Sequence, residues 1–155
     1  MLLQSLRRFM KSPRIFSGGF TLVEFLVTIG VLTVLFGIAG AIGFNFYMSY
    51  QIDSEARLLN SLLQEARNLA MTNNYESDQG VHIDNEEYIL FRGTTFASRD
   101  QSKDKSFPRT PEISLVGPSE LVFTALSGQT ASSTYTLTRE NINRYVYVNA
   151  EGLVY

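Results

Sequence analysis

The chain has 155 residues, a formal net charge of −2, no cysteine and a single histidine. This length allows at most one globular domain, since domains usually contain about 100–200 residues. The lack of cysteine excludes disulfide bonds and thiolate metal sites, and no Ser or carboxylate pair has a recognisable setting for nucleophilic or acid–base work. We therefore predict a protein that is not an enzyme and uses no cofactor or metal ion.

The N-terminal part of the chain combines a basic leader with a long apolar stretch. The leader has no acid before Gly19, and its basic residues are Arg7, Arg8, Lys11 and Arg14. No charged residue or histidine occurs from Phe25 to Ile52, which exceeds the roughly 20 residues that a helix needs to cross a bilayer. The sequence predicts a leader at residues 1–19 and a transmembrane helix at residues 20–50, with the N-terminus in the cytoplasm.

Glu24 interrupts the apolar stretch near its start. A carboxylate at the bilayer centre costs roughly 2.5–3.5 kcal/mol or more, so its presence needs a reason. Glu24 follows Phe20 by four residues and so shares a helical face with it. One interpretation is structural: an acid in the first turn of a helix is favoured by the helix dipole.

Residues 19–24, Gly-Phe-Thr-Leu-Val-Glu, lie between the basic leader and the apolar stretch. This arrangement resembles the N-terminal signature of the type IV pilin superfamily, which includes the pseudopilins of type II secretion. The resemblance implies that a prepilin peptidase and N-methyltransferase cleaves between Gly19 and Phe20 and methylates the new Phe20 amine. It also implies that Glu24 neutralises that amine on a neighbouring subunit of a filament. A glycine at the cleavage site lets the protease approach the backbone closely.

A second helical pattern follows the apolar stretch, at residues 51–74. Apolar residues recur at spacings of three and four: Ile52, Ala56, Leu59, Leu63, Ala66 and Ala70. Polar residues occupy much of the other surface: Asp53, Glu55, Arg57, Asn60, Gln64, Arg67 and Asn68. Because no proline occurs between Gly19 and Pro108, we expect one helix of about 50 residues, half in lipid and half packed on a domain. Asn73 and Asn74 should end it, since Asn tolerates the left-handed conformation.

Residues 75–155 read as a β head domain. Alternation around Val81 and Ile83, and again from Tyr88 to Arg92, predicts a hairpin; residues 93–112 read as a polar loop or irregular edge. Further short strands are expected at 113–116, 121–125, 135–138, 145–148 and 153–155. The predicted fold class is α+β and pilin-like: a long N-terminal helix, transmembrane in its first half, packed on a small antiparallel β-sheet domain.

The head domain carries a second resemblance. Its segments EARNLAMTNN, GVHI, LVFTALSG and TYTLTRENINRYVYVNAEGLVY are similar, in that order, to the GspH/FimT minor pilin family. The two resemblances together imply a minor pilin or pseudopilin precursor, a structural and assembly subunit of a type IV pilus or a type II secretion pseudopilus. The implied partners are the prepilin peptidase, other pilins in a helical filament, an inner-membrane assembly platform and the lipid bilayer. The implied location is the cytoplasmic membrane as a single-pass protein, with the head in the periplasm or outside the cell, and the filament after assembly.

Two alternatives stay open. The first is a head that binds DNA or a substrate, with a cluster of basic residues in one loop at Arg99, Lys103, Lys105 and Arg109. Asp100 and Asp104 dilute that cluster, and phosphate binding needs local positive potential. The second is a single-pass anchored domain that never polymerises.

Aromatic residues of the head have two interpretations. Four tyrosines at strand spacing, Tyr135, Tyr145, Tyr147 and Tyr155, form either a stacking platform or ordinary cross-strand packing. His82 lies in an expected strand and is interpreted as structural.

Overall fold

The computed structural model describes residues 19–155, apart from the side chains of residues 39–45. The predicted leader, with Arg7, Arg8, Lys11 and Arg14, lies outside the described residues. The chain divides into two compact units, Met1–Ile42 and Gly43–Tyr155, and each is described by itself.

Helix α1 comprises Leu22–Met71, 50 residues. It begins directly after Thr21, whose side chain caps it, and its first turn contains Glu24. It ends before Asn73, which has a φ of 50° and donates its backbone N–H to the carbonyl of Ala70. The predicted role of Asn73 as a left-handed terminator is therefore confirmed, because asparagine adopts this conformation more readily than most residues.

The apolar part of α1 does not meet the requirements of a membrane span. Among the residues that the structure describes, no helix combines the length and the hydropathy needed to cross a bilayer. The transmembrane first half in the predicted fold class is therefore wrong, and so is the predicted localisation as a single-pass protein of the cytoplasmic membrane.

The second unit contains, in its described residues, seven strands in two antiparallel sheets rather than the single sheet expected. They are β1 (Gln79–Ile83), β2 (Glu87–Arg92), β3 (Lys105–Pro108), β4 (Ser114–Val116), β5 (Glu120–Phe123), β6 (Ser133–Arg139) and β7 (Ile142–Val148). The first sheet has the order β3-β2-β1-β5 and the second has the order β4-β6-β7. Between β4 and β5 lies Pro118, which has no N–H to donate to a ladder and separates the two sheets along the chain.

The predicted hairpin is formed by β1 and β2. In it Val81 lies opposite Leu90 and Ile83 opposite Tyr88, so the two alternating segments pair with each other. The segment expected to be a loop contains an edge strand, β3, after two short 3₁₀ turns at Phe96–Ser98 and Gln101–Lys103. A further 3₁₀ turn, Asn74–Glu76, follows α1. The last expected strand is reduced to one bridge between Val148 and Val154.

The core of the second unit lies between the second half of α1 and both sheets. The helix contributes a stripe of fully buried residues, among them Ile52, Leu59, Leu63, Ala66 and Ala70. The strands contribute Val81, Tyr88, Phe123, Tyr135, Leu137 and Val146 to the same cluster. Each large apolar side chain buried here contributes about 1.5–3 kcal/mol, so this stripe is what fixes the helix to the sheets.

Candidate functional site

The first unit presents an apolar segment, residues 20–38, that is helical from Leu22 onward and exposed on all its sides. Its exposed large apolar side chains are Phe20, Leu22, Val23, Phe25, Leu26, Val27, Ile29, Val31, Leu32, Val34, Leu35, Phe36 and Ile38, with exposed fractions between 44% and 83%. Successive residues of a helix are about 100° apart, so these side chains cover every direction around the axis. A helix that is apolar all round is normally one that becomes buried. We call residues 20–38 the apolar segment.

Glu24 is the only charged residue of the apolar segment, and its backbone takes part in a helix cap. The Glu24 N–H donates a 3.2 Å hydrogen bond to the hydroxyl oxygen of Thr21. Thr21 and Glu24 have the spacing of a capping box, in which an N-terminal Thr pairs with an acid three residues later. The carboxylate itself is exposed. Glu24 therefore takes part in the N-terminal cap of α1. This local role is separate from the pairing between subunits that the sequence resemblance implies.

Gly19 and Phe20 precede the helix and are accessible. Both lie outside helical backbone, which begins at Leu22, and Phe20 is 83% exposed. A Cβ placed on Gly19 would have no atom within 4 Å. An added Cβ at Gly19 therefore causes no steric conflict within the described chain. An effect of a substitution at Gly19 would then indicate a molecule that approaches the Gly19–Phe20 bond from outside the chain.

The basic side chains of the 93–112 region are largely held by internal partners. Arg99 forms an ion pair with Asp104 at 2.7 Å and places its guanidinium carbon 3.5 Å from the centroid of the Phe96 ring. Arg109 donates to the backbone carbonyls of Asp84 and Ile113 at 2.9 and 2.8 Å. Lys105 pairs with Glu65 of α1 at 3.2 Å. The predicted cluster is thus mainly structural in its contacts.

Two of the four basic residues singled out in the sequence line the same concave surface. Lys103 and Lys105 line a cavity of about 200 Å³ together with Tyr75 and Arg92, whose guanidinium carbon lies 3.5 Å from the Tyr75 ring centroid. Asp100 adds a negative charge close to Lys103 and Arg92. Hydrogen bonds from Ser102 lower the pKa of its carboxyl and so favour the ionised form. Tyr75 was not anticipated from the sequence, since it lies far from the loop along the chain, and Arg92, which directly precedes the loop, was assigned to the hairpin.

The four tyrosines singled out in the sequence divide into two groups. Tyr135 is fully buried in the core, whereas Tyr145, Tyr147 and Tyr155 are exposed, with the ring of Tyr147 stacked on those of the other two. The four tyrosines therefore do not share one interpretation. His82 stacks on Phe96 with ring centroids 3.6 Å apart, which is a packing contact of the kind expected for a structural histidine.

A buried carboxylate escaped the sequence analysis. Glu55, assigned there to the polar surface of α1, is only 5% exposed and accepts a 2.9 Å hydrogen bond from the Thr110 hydroxyl. A signal was present: Glu55 follows Ile52 by three residues and precedes Leu59 by four, which places it on the apolar stripe. What the sequence could not show is that a hydroxyl from a distant loop would meet it there.

Neither a metal cluster nor a known relative adds to these observations. Within residues 19–155, no three His, Cys, Asp or Glu side chains lie together as a metal site would require. No protein-family model, curated protein or solved structure matches the chain. The functional argument therefore depends on the chain's own residues, above all on the apolar segment and Glu24.

Proposed function

We propose that the chain is a minor pilin or pseudopilin precursor, a non-catalytic subunit whose apolar segment packs against the same segments of other subunits in a filament. The observation that carries the proposal is the exposure of apolar side chains on every side of residues 20–38, with Glu24 as the only charge among them. The pilin-like signature at residues 19–24 supports the same function independently of the fold.

The energetics favour several neighbours rather than one. Covering only the face that contains Phe25 would leave the side chains on the opposite face, such as Val34, in water. Burial of each large apolar side chain contributes about 1.5–3 kcal/mol, so a bundle that surrounds the helix gains far more than a two-helix contact. A filament core made of like helices provides that environment.

Glu24 then requires a cationic partner. A carboxylate buried in such a bundle without one carries a desolvation penalty of several kcal/mol. Cleavage after Gly19 creates an amine on Phe20, close in sequence to Glu24 on the same segment. Within one filament, the amine of one subunit lies at the depth of the carboxylate of the next, which satisfies both charges.

The DNA-binding alternative receives less support. Arg99 and Arg109 already donate to Asp104 and to backbone carbonyls, and Lys105 is paired with Glu65. Nucleic-acid affinity comes mainly from cations that are free to neutralise phosphates. We therefore propose a structural subunit and not a nucleic-acid receptor.

The proposal is tested by cross-linking between subunits in cells that contain a prepilin peptidase and a filament machinery. The natural chain has no cysteine, so Val27→Cys and Phe36→Cys together provide the only two thiols for a bifunctional maleimide. The two positions lie about 180° apart around the helix and both are exposed, so each subunit can be linked to two neighbours. We expect a ladder of cross-linked products, reduced by more than about tenfold when Glu24→Gln is added, since removing one partner of a buried ion pair costs roughly 3–5 kcal/mol.

Thr21→Ala is the matched control because it removes the cap hydroxyl and keeps the Glu24 carboxylate. Under the proposal it leaves most of the ladder intact, with only the loss of about 1 kcal/mol that a missing cap causes. The reverse pattern, a normal ladder in Glu24→Gln and none in Thr21→Ala, would show that Glu24 acts only in helix capping. The absence of any ladder in the parent chain with both cysteines would contradict polymerisation through this segment.

A further inference from the structure

One cavity of the second unit combines positive charge with an apolar lining. It has a volume of about 200 Å³ and lies where the start of β1 and the end of β2 approach the end of α1. Its lining includes the cations Arg92, Lys103 and Lys105 and the buried side chains of Leu90 and Phe91. No acidic side chain is among the described residues that line it. We call it the cationic cavity.

The charge of Arg92 is not neutralised within the part of the chain that the structure describes. Its guanidinium carbon lies 3.5 Å from the centroid of the Tyr75 ring, and its Nε atom has no hydrogen-bond partner among the described residues. It takes part in none of the ion pairs found there. Because a guanidinium does not lose its proton in a protein, Arg92 remains a cation at the wall of the cavity and favours an anion beside it.

The two lysines differ in how strongly they are engaged. Lys105 pairs with Glu65 at 3.2 Å, but both side chains are exposed, and an exposed pair contributes little. Lys103 takes part in no ion pair of the described residues. Asp100 lies near it, but the Asp100 carboxylate accepts hydrogen bonds from the N–H and O–H of Ser102 at 3.1 and 2.7 Å. Lys103 is therefore free to contact a ligand, and Lys105 can leave Glu65 to join it.

The aromatic wall of the cavity is held in place by the buried side chain of Gln79. Gln79 is 4% exposed, and its Nε2 donates to the carbonyls of Asn74 and Ser77 at 3.2 and 3.4 Å. Between these two carbonyls lies Tyr75, whose φ of 67° is in the left-handed region. A large residue keeps this conformation only where its surroundings impose it, and such positions are frequent at binding sites. The fold therefore fixes the Tyr75 wall before any ligand arrives.

The charge and the size of the cavity select its ligand. Arginine binds a carboxylate or a phosphate through paired N–H groups, and lysine binds either as a point charge. The buried Leu90 and Phe91 favour an apolar body attached to the anionic group. A volume of about 200 Å³ is below the range of sites for drug-sized ligands and excludes a polymer. The phosphates of a nucleic-acid strand, which are linked on both sides, therefore do not fit.

We propose that the cationic cavity binds a small organic anion. One carboxylate or phosphate group lies between Arg92 and Lys103, and an apolar body packs against Leu90 and Phe91. A phosphate monoester carries about two negative charges at neutral pH, so it binds more tightly than a carboxylate with the same body. The proposal concerns the second unit alone and does not depend on the filament function.

The test is an NMR titration of the ¹⁵N-labelled full chain in an uncharged detergent. With phenyl phosphate we expect saturable shifts of the Arg92 Nε–H signal and of the Gln79 side-chain amide signals. Benzoate should cause the same shifts with weaker affinity. Benzyl alcohol, which has the ring without a charge, should cause none. Inorganic phosphate, which has the charge without a ring, should bind more weakly than phenyl phosphate.

Three variants separate recognition from structure. Lys103→Gln should weaken the binding of phenyl phosphate by about tenfold, the effect of losing one charged hydrogen-bond donor. Glu65→Gln should strengthen it by about twofold, because it releases Lys105 from an exposed ion pair. Arg57→Gln removes an exposed cation of α1 outside the cavity and should leave binding unchanged. A purely structural role of the lysines would not give opposite effects in Lys103→Gln and Glu65→Gln.

Other outcomes would overturn the proposal. They are no saturable shift with phenyl phosphate, equal shifts with benzyl alcohol, and inorganic phosphate that binds as tightly as phenyl phosphate. Equal weakening in Lys103→Gln and Arg57→Gln would show a general effect of charge and would also overturn it. Single-stranded DNA without a terminal phosphate should not displace phenyl phosphate, and displacement would show that the cations form a nucleic-acid surface instead.

Discussion

The carboxylate of Glu55 accepts a 2.9 Å hydrogen bond from the hydroxyl of Thr110, although the two residues are 55 positions apart in the chain. The backbone N–H of Thr110 points to the other carboxylate oxygen at 3.5 Å. Glu55 is 5% exposed and lies beside the buried Tyr88, whose pKa is raised above its usual range by burial and by the Glu55 charge. This contact ties the second half of α1 to the segment that leads into β4.

Loss of the Glu55–Thr110 contact should destabilise the second unit. We expect Thr110→Val to lower the free energy of unfolding by about 1–3 kcal/mol, because the buried Glu55 carboxylate loses its hydroxyl donor and keeps only the 3.5 Å contact with the Thr110 backbone N–H. Glu55→Gln keeps an acceptor oxygen and should cost less. The matched control is Glu65→Ala, which removes an exposed ion pair with Lys105 and should cost less than about 1 kcal/mol. Urea unfolding measures all three variants, and equal losses in Thr110→Val and Glu65→Ala would contradict a special role for Glu55.

The buried phenol of Tyr135 should make the protein sensitive to alkali. Burial raises the pKa of Tyr135 above its usual range, so the folded state holds this proton more tightly than the unfolded chain does. The stabilisation is therefore complete below the ordinary tyrosine pKa of about 10 and is lost as the pH rises above it. Denaturant unfolding between about pH 8 and 11 should show this decline. Tyr88, with its pKa raised in the same direction, contributes a second part of it.

Tyr135→Phe tests that assignment. The Tyr135 hydroxyl is buried and has no hydrogen-bond partner among the described residues, so its removal should leave stability at neutral pH unchanged or raise it by about 1 kcal/mol. The alkaline decline should become shallower without disappearing, since Tyr88 keeps its hydroxyl. A variant that is destabilised at neutral pH and declines as steeply as the natural chain would show that the Tyr135 hydroxyl has a partner.

The sequence predicted those parts of the fold that depend on local periodicity. Alternation predicted the β1–β2 hairpin, and the spacing of Ile52, Leu59 and Leu63 predicted the buried stripe of α1. The division into two sheets could not be predicted in this way, because it depends on β5 pairing with β1 and β4 with β6, which are choices between distant strands. The misassigned membrane span has another cause: an apolar run is equally compatible with burial in lipid and with burial among other helices.

The candidate site was also predicted only where it depends on local sequence. Gly19, Phe20 and Glu24 were identified from a local motif, and their functional roles stay predictions. The basic cluster was predicted from the composition of the loop. Composition cannot show that the Arg99 guanidinium pairs with Asp104 and lies over the Phe96 ring. Alternation along β7 could have placed Tyr145 and Tyr147 on one face, but nothing local indicated that the turn at Gly152 would return Tyr155 to their side.

Gly152 should be essential to the C-terminal turn. Its φ of 77° is unfavourable for residues with a side chain, and an added Cβ would overlap the carbonyl oxygen of Gly128 and lie 2.9 Å from Nε of Arg67. We expect Gly152→Ala to lower the free energy of unfolding by about 2 kcal/mol, measured by urea unfolding. Gly30→Ala is the control, because its Cβ would meet no atom within 4 Å. Comparable losses in both variants would show that the conformation of Gly152 is not the cause.

Processing at Gly19 provides the last prediction, and it depends on the proposed function. With a prepilin peptidase present, the mature chain should begin at Phe20, with its amine methylated, as read by mass spectrometry of the intact protein and of its N-terminal peptide. Gly19→Val should block cleavage, because a branched side chain hinders the close approach of a protease to the backbone. A Cβ at position 19 meets no atom of the described chain within 4 Å, so the fold should be unaffected, and an unchanged circular dichroism spectrum is the control. A mature N-terminus at Phe20 in Gly19→Val, or an intact Met1 in the natural chain beside an active peptidase, would contradict cleavage at this bond.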